Sequence, residues 1–507
     1  MIKKIITFES LKKISKKEKK KKKKIVLCHG VFDLLHIGHI NHFEEAKSFG
    51  DILVVSVTAN KFVNKGPNRP AFSEANRIKA LAALKVVDYV VLSKFPTALP
   101  IINELKPNIY CKGKDYKINK DDITGRIKNE INAVKKNGGK IIYTKGIVFS
   151  SSNLINSFTE IHSAEHKMII EKVKKNYDFL KIKSLIENLK KLKVLVIGET
   201  IIDEYVFCNA LGKSGKEPML VLGDMKTEEY LGGAAAISRH LSSFCNKITL
   251  LSMIGEKKEY LKEIKSKLPN NVKFDYIKKK DSPTIVKKRF LDHITNNKIL
   301  GVYKINYNSL IQRDEKIFIK KLKRLLPKYD VVIVSDYGHG LISNKSAKII
   351  CKASKYLSLN AQINAANSGF HSMRKYKNVD FFINNETEIR HEMRDIQNKV
   401  ENLVKQLAIQ QNIKNLVVTR GKEGAIIYNK NYNKFNFCGA FAETALDKVG
   451  AGDAMLSIIT LCLKSNFTRE LSLLLGSLAA AQSTETFGNK DAVSKNKMIK
   501  ALQHILK

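Results

Sequence analysis

The chain has 507 residues, 44% of them hydrophobic, too many for one ordinary core, so two or three domains are expected. The formal charge of +42 is spread along the chain among Asn and Ile, which reads as compositional drift and not as the concentrated cation surface that a specific nucleic-acid partner requires. Seven cysteines without a C-x-x-C pair suggest neither a disulfide framework nor a zinc site, and no run has the length of a signal peptide's apolar core or a membrane span, so a soluble, cytoplasmic protein is expected.

Residues 1–24 read as a basic lead-in ending in "KKEKKKKKK" (Lys16 to Lys24), a solvated run without aromatics. From 25 to 157, short apolar runs alternate with helical patterns, which predicts a parallel sheet flanked by helices. Its first strand, "IVLCHGVFD" (Ile25 to Asp33), leads into "HIGH" (His36 to His39) and a helix that Gly50 should stop. Two histidines at a strand-to-helix junction stand where backbone N–H groups and the helix dipole favour phosphate. Residues 158–192 are charged and helical and read as a helical linker, a connector plus the lead-in helix of a second domain. A second α/β pattern occupies 193–507 and contains "GGAAA" (Gly232 to Ala236), "SDYGHG" (Ser335 to Gly340), "NNETE" (Asn384 to Glu388) and "GAGD" (Gly450 to Asp453).

The first block carries "HIGH", "NKGPNRP" (Asn64 to Pro70), "EANRIKAL" (Glu74 to Leu81), "KGKDYK" (Lys112 to Lys117) and "FSSSNLIN" (Phe149 to Asn156) in order. It resembles the His-x-Gly-His nucleotidyltransferases, and most closely the adenylyltransferase half of the bifunctional ADP-heptose synthesis enzymes. The resemblance implies a Rossmann-like domain in which His36 and His39 contact a triphosphate and stabilise the transition state. It also places Gly30, Phe32, Asp33, Lys65, Arg77, Ser150, Ser151 and Ser152 at the nucleotide and its phosphates, with Asp33 helping to position magnesium. The arginine of the cytidylyltransferase signature is absent beside "FSSSN", which favours ATP over CTP.

The second block resembles the ribokinase-type sugar kinases, whose fold carries a small β lid. By that resemblance Asp453 is the general base. Gly450, Ala451 and Gly452 offer N–H groups to phosphate, and Asn385 and Glu388 handle magnesium and phosphate, Glu388 being the metal candidate. Asp203, Gly232, Gly233 and Asp336 fall at sugar-binding positions. Departures lie on the sugar side: Ala236 and Asn364 replace an asparagine and an aspartate of the heptose kinases, and Asn306 replaces a carboxylate. The order of the halves is also reversed.

The expected activity is therefore a sugar (heptose) phosphate kinase joined to a sugar-1-phosphate adenylyltransferase that makes ADP-heptose or a similar nucleotide sugar for lipopolysaccharide or another surface glycan. Mg2+ and ATP are the expected cofactors, sugar phosphates and nucleoside triphosphates the partners, and a homodimer through the lid is expected. The alternative is a cytidylyltransferase for another phosphorylated alcohol, with a kinase-like domain of altered substrate or a non-catalytic sugar sensor.

Overall fold

The computed structural model describes residues 4–63, 69–113, 126–144, 163–364, 367–442 and 445–506. They form two compact α/β units, residues 1–163 with 499–507, and residues 164–498.

The first unit is built on β1 (Ile5–Ile6), β2 (Ile25–Gly30), β3 (Ile52–Thr58), β4 (Tyr89–Ser93), β5 (Ile109–Lys112) and β6 (Lys140–Tyr143). Among the described residues these pair in the order β1-β4-β3-β2-β5-β6, every pairing parallel. Its helices are α1 (Leu11–Lys20), α2 (Ile37–Ser48), α3 (Glu74–Ala83), α4 (Leu99–Leu105) and α5 (Arg126–Lys136). The apolar runs Val26–Cys28 and Leu53–Val55 are wholly buried because helices cover both faces, as parallel sheets require. β2 ends at Gly30, three residues before the predicted Asp33, because Phe32 turns the chain with a φ of 49°.

Residues 4–24 are part of the fold, and Lys16 to Lys24 run along and past the solvated end of a helix. β1 pairs with β4, and α1 buries Leu11, Ser15 and Glu18, spaced at helical periodicity, while its lysines take the outer face. Ser15 Oγ donates to Leu105 O at 2.6 Å, fastening α1 to the end of α4.

The second unit begins with helices Ala164–Asn176 and Phe179–Asn188, inside the stretch predicted to be a linker. Ile169, Ile170, Val173, Ile182 and Ile186 are buried there, an apolar stripe that the surrounding charges concealed. The strands that follow are β7 (Lys193–Gly198), β8 (Thr200–Lys213), β9 (Leu220–Gly233), β10 (Lys247–Gly255), β11 (Val272–Lys279), β12 (Ile285–Asp292), β13 (Lys298–Lys304), β14 (Val331–Asp336), β15 (Leu357–Ala361), β16 (Phe381–Asn385), β17 (Asn415–Thr419), β18 (Ala425–Asn429) and β19 (Lys434–Cys438). The main sheet has the order β11-β10-β7-β14-β15-β16-β17-β18-β19, parallel up to β17 and antiparallel beyond. A second sheet, β13-β12-β8-β9, is the predicted lid.

One residue, Glu199, separates core strand β7 from lid strand β8. Its fully buried carboxylate accepts from the backbone N–H groups of Tyr337 (3.0 Å) and His339 (3.2 Å), just beyond β14. Burial and the charge of Asp336 raise its pKa. In such a sheet ligands bind beyond the carboxyl ends of the strands, so Tyr337, Asn385 and the lid base lie where a site is expected.

Candidate functional site

In the first unit, His36 is the N-cap of α2. Its Nδ1 accepts from Gly38 N at 3.1 Å, which leaves the proton of the neutral ring on Nε2. One helical turn aligns the rings of His36 and His39, which stack with centroids 3.9 Å apart. The Phe32 ring meets His39 edge-on at 5.4 Å and Phe43 at 5.0 Å, so Phe32 orients His39 from the core side. Gly30 is required for this: a Cβ there would come within 2.9 Å of the Phe32 ring.

Two sequence assignments change. Arg77 is only 2% exposed, and its guanidinium donates to Phe72 O, Val31 O, Thr58 O and Asn60 Oδ1, so it ties loops together and is not presented to a phosphate. Asp33 accepts from Ala71 N and Phe72 N and stands 3.6 Å from Arg69; both its oxygens organise the loop after β3, which is why it is not offered to magnesium. Arg77→Ala removes the donors of four acceptors and is expected to lower the unfolding free energy by about 3 kcal/mol or more. Urea unfolding of the full chain reads this directly. Lys65, Ser150, Ser151 and Ser152 lie outside the described residues.

In the second unit, a cleft of about 900 Å3 is lined by Asp203, Gly233, Lys287, Arg289, Tyr337, Asn364, Asn385, Glu388 and Gly450 to Asp453. Helix Ala451–Lys464 opens on Gly450, whose φ is 90° and whose missing Cβ leaves room for Asn489 Oδ1. Ala451 N donates to Lys448 O at 3.4 Å, so the first turn presents the N–H groups of Gly452 and Asp453 to the cleft, an anion-favouring terminus.

Asp453 accepts from Tyr337 Oη at 3.1 and 3.2 Å. Burial, aided by the charge of Asp203, lifts its pKa to about 7 despite that hydrogen bond and Lys287. Glu388 is likewise lifted to about 7, mainly by burial, with the charge of Asp453 adding. Asn385 and Glu388 form a capping box at the start of helix Glu386–Met393: Asn385 Oδ1 accepts from Glu388 N at 2.8 Å, and Glu388 Oε2 from Asn385 N at 2.9 Å. Asp203, at the base of the lid, pairs with Arg289 at 2.6 Å, and a Cβ on Gly232 would strike its Oδ2.

Asp336 leaves the predicted sugar set. It is buried off the cleft, held by Lys375 and Tyr376 Oη, each at 2.6 Å, because its side chain turns under the sheet while the next residue, Tyr337, faces the cleft. Of the three sugar-side departures, only Asn364 lines the cleft. Ala236 is fully buried in its helix, and Asn306 holds a loop by donating to Asp281 O and accepting from Asn308 N. Lys287, Arg289 and Tyr337 were not singled out by sequence. Lys287 and Arg289 share one face of β12, an alternation hidden by the abundance of lysine elsewhere.

The geometry defines a phosphotransferase-type α/β unit with a β lid and a buried carboxylate at a helix N-terminus, carried with a His-x-Gly-His unit. Residues 191–496 match the pfkB family carbohydrate kinases, and the chain belongs to that family. Residues 27–158 match the cytidylyltransferase-like family. Among curated proteins, Bifunctional protein HldE of Aliarcobacter butzleri (strain RM4018) is 40% identical over 136 residues, 26% of this chain and 28% of that protein. Bifunctional protein HldE of Campylobacter jejuni (strain RM1221) is 25% identical over 307 residues, 59% of this chain and 62% of that protein. The chain thus spans less than two thirds of either relative. Phosphofructokinase-2 from Escherichia coli in complex with potassium is 14% identical and aligns with a TM-score of 0.51 over 62% of this chain and 100% of its own, a likeness of fold.

Proposed function

We propose that the chain carries out two separate steps of sugar activation, with the sugar's other phosphate removed by hydrolysis between them. The second unit phosphorylates a sugar phosphate of the heptose type at its anomeric oxygen with ATP. The first unit joins a sugar 1-phosphate to a nucleotide, ATP being preferred to CTP, and releases pyrophosphate; the product is ADP-heptose or a similar nucleotide sugar for surface glycan synthesis. The observation that carries this reading is Asp453, buried at a helix N-terminus between the lid residues Asp203, Lys287 and Arg289 and the Asn385–Glu388 capping box. The likeness to bifunctional HldE proteins supports the pairing of activities.

In the kinase step Asp453 takes the proton of the attacking hydroxyl, and the N–H groups after Gly450 hold charge that develops on the transferred phosphoryl. The carboxylate of Glu388 and the amide oxygen of Asn385 are hard donors that fit Mg2+, which when bound would neutralise phosphate charge. Lys287 adds a cation beside Asp203 and Asp453. In the transferase step His36 and His39, with the N-terminus of α2, align the triphosphate and stabilise charge at its α-phosphate. Ala236 lies off the cleft, which leaves Asn364 as the one replacement in the cleft that favours a non-catalytic sensor.

Asp453 must be ionised to act, so the kinase rate falls as pH drops through about 7, approaching tenfold per unit below it. A profile of kcat/KM from pH 5 to 9, which reports the free enzyme, checks this; a flat profile contradicts Asp453 as the base. The activity itself is tested by phosphorus NMR of the protein with Mg2+, heptose 1-phosphate and either ATP or CTP. A diphosphate product with ATP supports the reading, and turnover with CTP alone overturns the nucleotide assignment. Leu211, Met219, Leu220, Met225 and Leu300 on the lid are all more than half exposed, which supports a homodimer through it, and light scattering should give twice the monomer mass.

A further inference from the structure

Beneath the histidine pair, three soft donors from three elements converge. Cys28 on β2 and Cys111 on β5 are direct partners in the parallel register, which places their side chains next to each other on one face of the sheet. His42 on α2 faces them, three residues after His39. One ligand atom from each of the three lies within 4.8 Å of the other two. Both cysteines are essentially inaccessible, and His42 is half-buried.

The surroundings of His42 suit a ligand. Its Nδ1 lies 3.0 Å from Thr144 Oγ1, and Thr144 Oγ1 donates in turn to Lys112 O at 3.5 Å. In the tautomer with its proton on Nδ1, the imidazole donates to Thr144 Oγ1 and keeps its lone pair on Nε2. This is the arrangement in which a metal-binding histidine gives its second ring N–H to an outer partner. Burial and the neighbouring Cys111 thiol push the Cys28 pKa up, with the Lys112 ammonium, itself paired with Glu130 at 3.5 Å, opposing that rise, so thiolate forms as the cation displaces the proton.

We infer that Cys28, His42 and Cys111 form a thiolate–imidazole site for a thiophilic d10 cation, Zn2+ first among them. Tetrahedral ligands at zinc–sulfur and zinc–nitrogen distances stand about 3.3–3.8 Å apart, so closure needs shifts of about 1 Å or less. Two thiol protons pass to solvent as the cation binds, and the fourth coordination position is left to water. The cation ties α2 to β2 and β5 and so fixes the helix that carries His36 and His39. A site assembled from three elements leaves no C-x-x-C spacing, so no motif announces it.

The full chain, purified without chelator and titrated with Zn2+ alone and then with Co2+ alone, tests this. The expected result is about one tightly held zinc per chain and, with cobalt, a thiolate-to-cobalt charge-transfer band with tetrahedral d–d bands. Cys28→Ser and Cys111→Ser should each abolish the band. Thr144→Val keeps the side-chain shape, removes the outer partner and should weaken zinc binding by about 10- to 100-fold, which keeps the test open if a cysteine variant fails to fold. Less than about a tenth of an equivalent of zinc with no charge-transfer band in the unaltered chain overturns the inference. So does a band that survives in folded Cys28→Ser and Cys111→Ser, because the cation is then elsewhere.

Discussion

Asp453→Asn lowers the rate of phosphoryl transfer by about 10²- to 10⁴-fold, the range for loss of a positioned general base. The substitution keeps the shape and the contact with Tyr337 Oη, so sugar-phosphate binding should survive while kcat falls. Coupled measurement of ADP release, with calorimetric binding of the sugar phosphate, separates the two quantities. Nucleotidyl transfer from supplied sugar 1-phosphate should be unchanged, since the residue belongs to the other compact unit. Equal turnover in the variant would remove Asp453 from the chemistry and bring back the sensor reading.

His39→Ala should cost the nucleotidyl transfer about 10²- to 10³-fold, the magnitude for removing one group that stabilises transition-state charge. The loss has two sources, because the ring proposed to meet the phosphates also stacks on His36 at 3.9 Å and packs against Phe32. His39→Asn retains a donor and should recover part of kcat; Phe32→Leu leaves the imidazole in place and frees its orientation, so a smaller loss is expected. Pyrophosphate release measured for all three variants, with the kinase rate as internal reference, ranks the contributions. Identical losses for Phe32→Leu and His39→Ala would mean that packing, and not the imidazole, carries the effect.

The parts legible in the sequence were those set by local spacing. Strand–helix alternation specified both sheets, "HIGH" specified a helix N-terminus with two aligned rings, and "GAGD" specified an N-terminus with a carboxylate in its first turn. Charged residues whose targets are set by distant loops were misread. Arg77 finds carbonyls at positions 31, 58 and 72, and Asp33 finds N–H groups nearly forty residues on, pairings that no periodicity announces. Asp336 and Tyr337 show the same limit at single-residue scale, since alternation at a strand end sends one inward and the next into the cleft. In residues 11–20 the lysine run read as a solvated helix end hides the buried Leu11, Ser15 and Glu18 on the other face of the same helix.

The single residue between β7 and β8 has a mechanical meaning. β8 is fourteen residues long and reaches roughly 45 Å from its root, with Glu199 clamped to the backbone beyond β14. A lever of that length amplifies: a tilt of roughly 10° at the root would carry its far end through roughly 8 Å, while Asp203, four residues from the pivot, would move only about 2 Å. The far end of the arm can therefore swing widely while the cleft-lining groups at its root stay almost still.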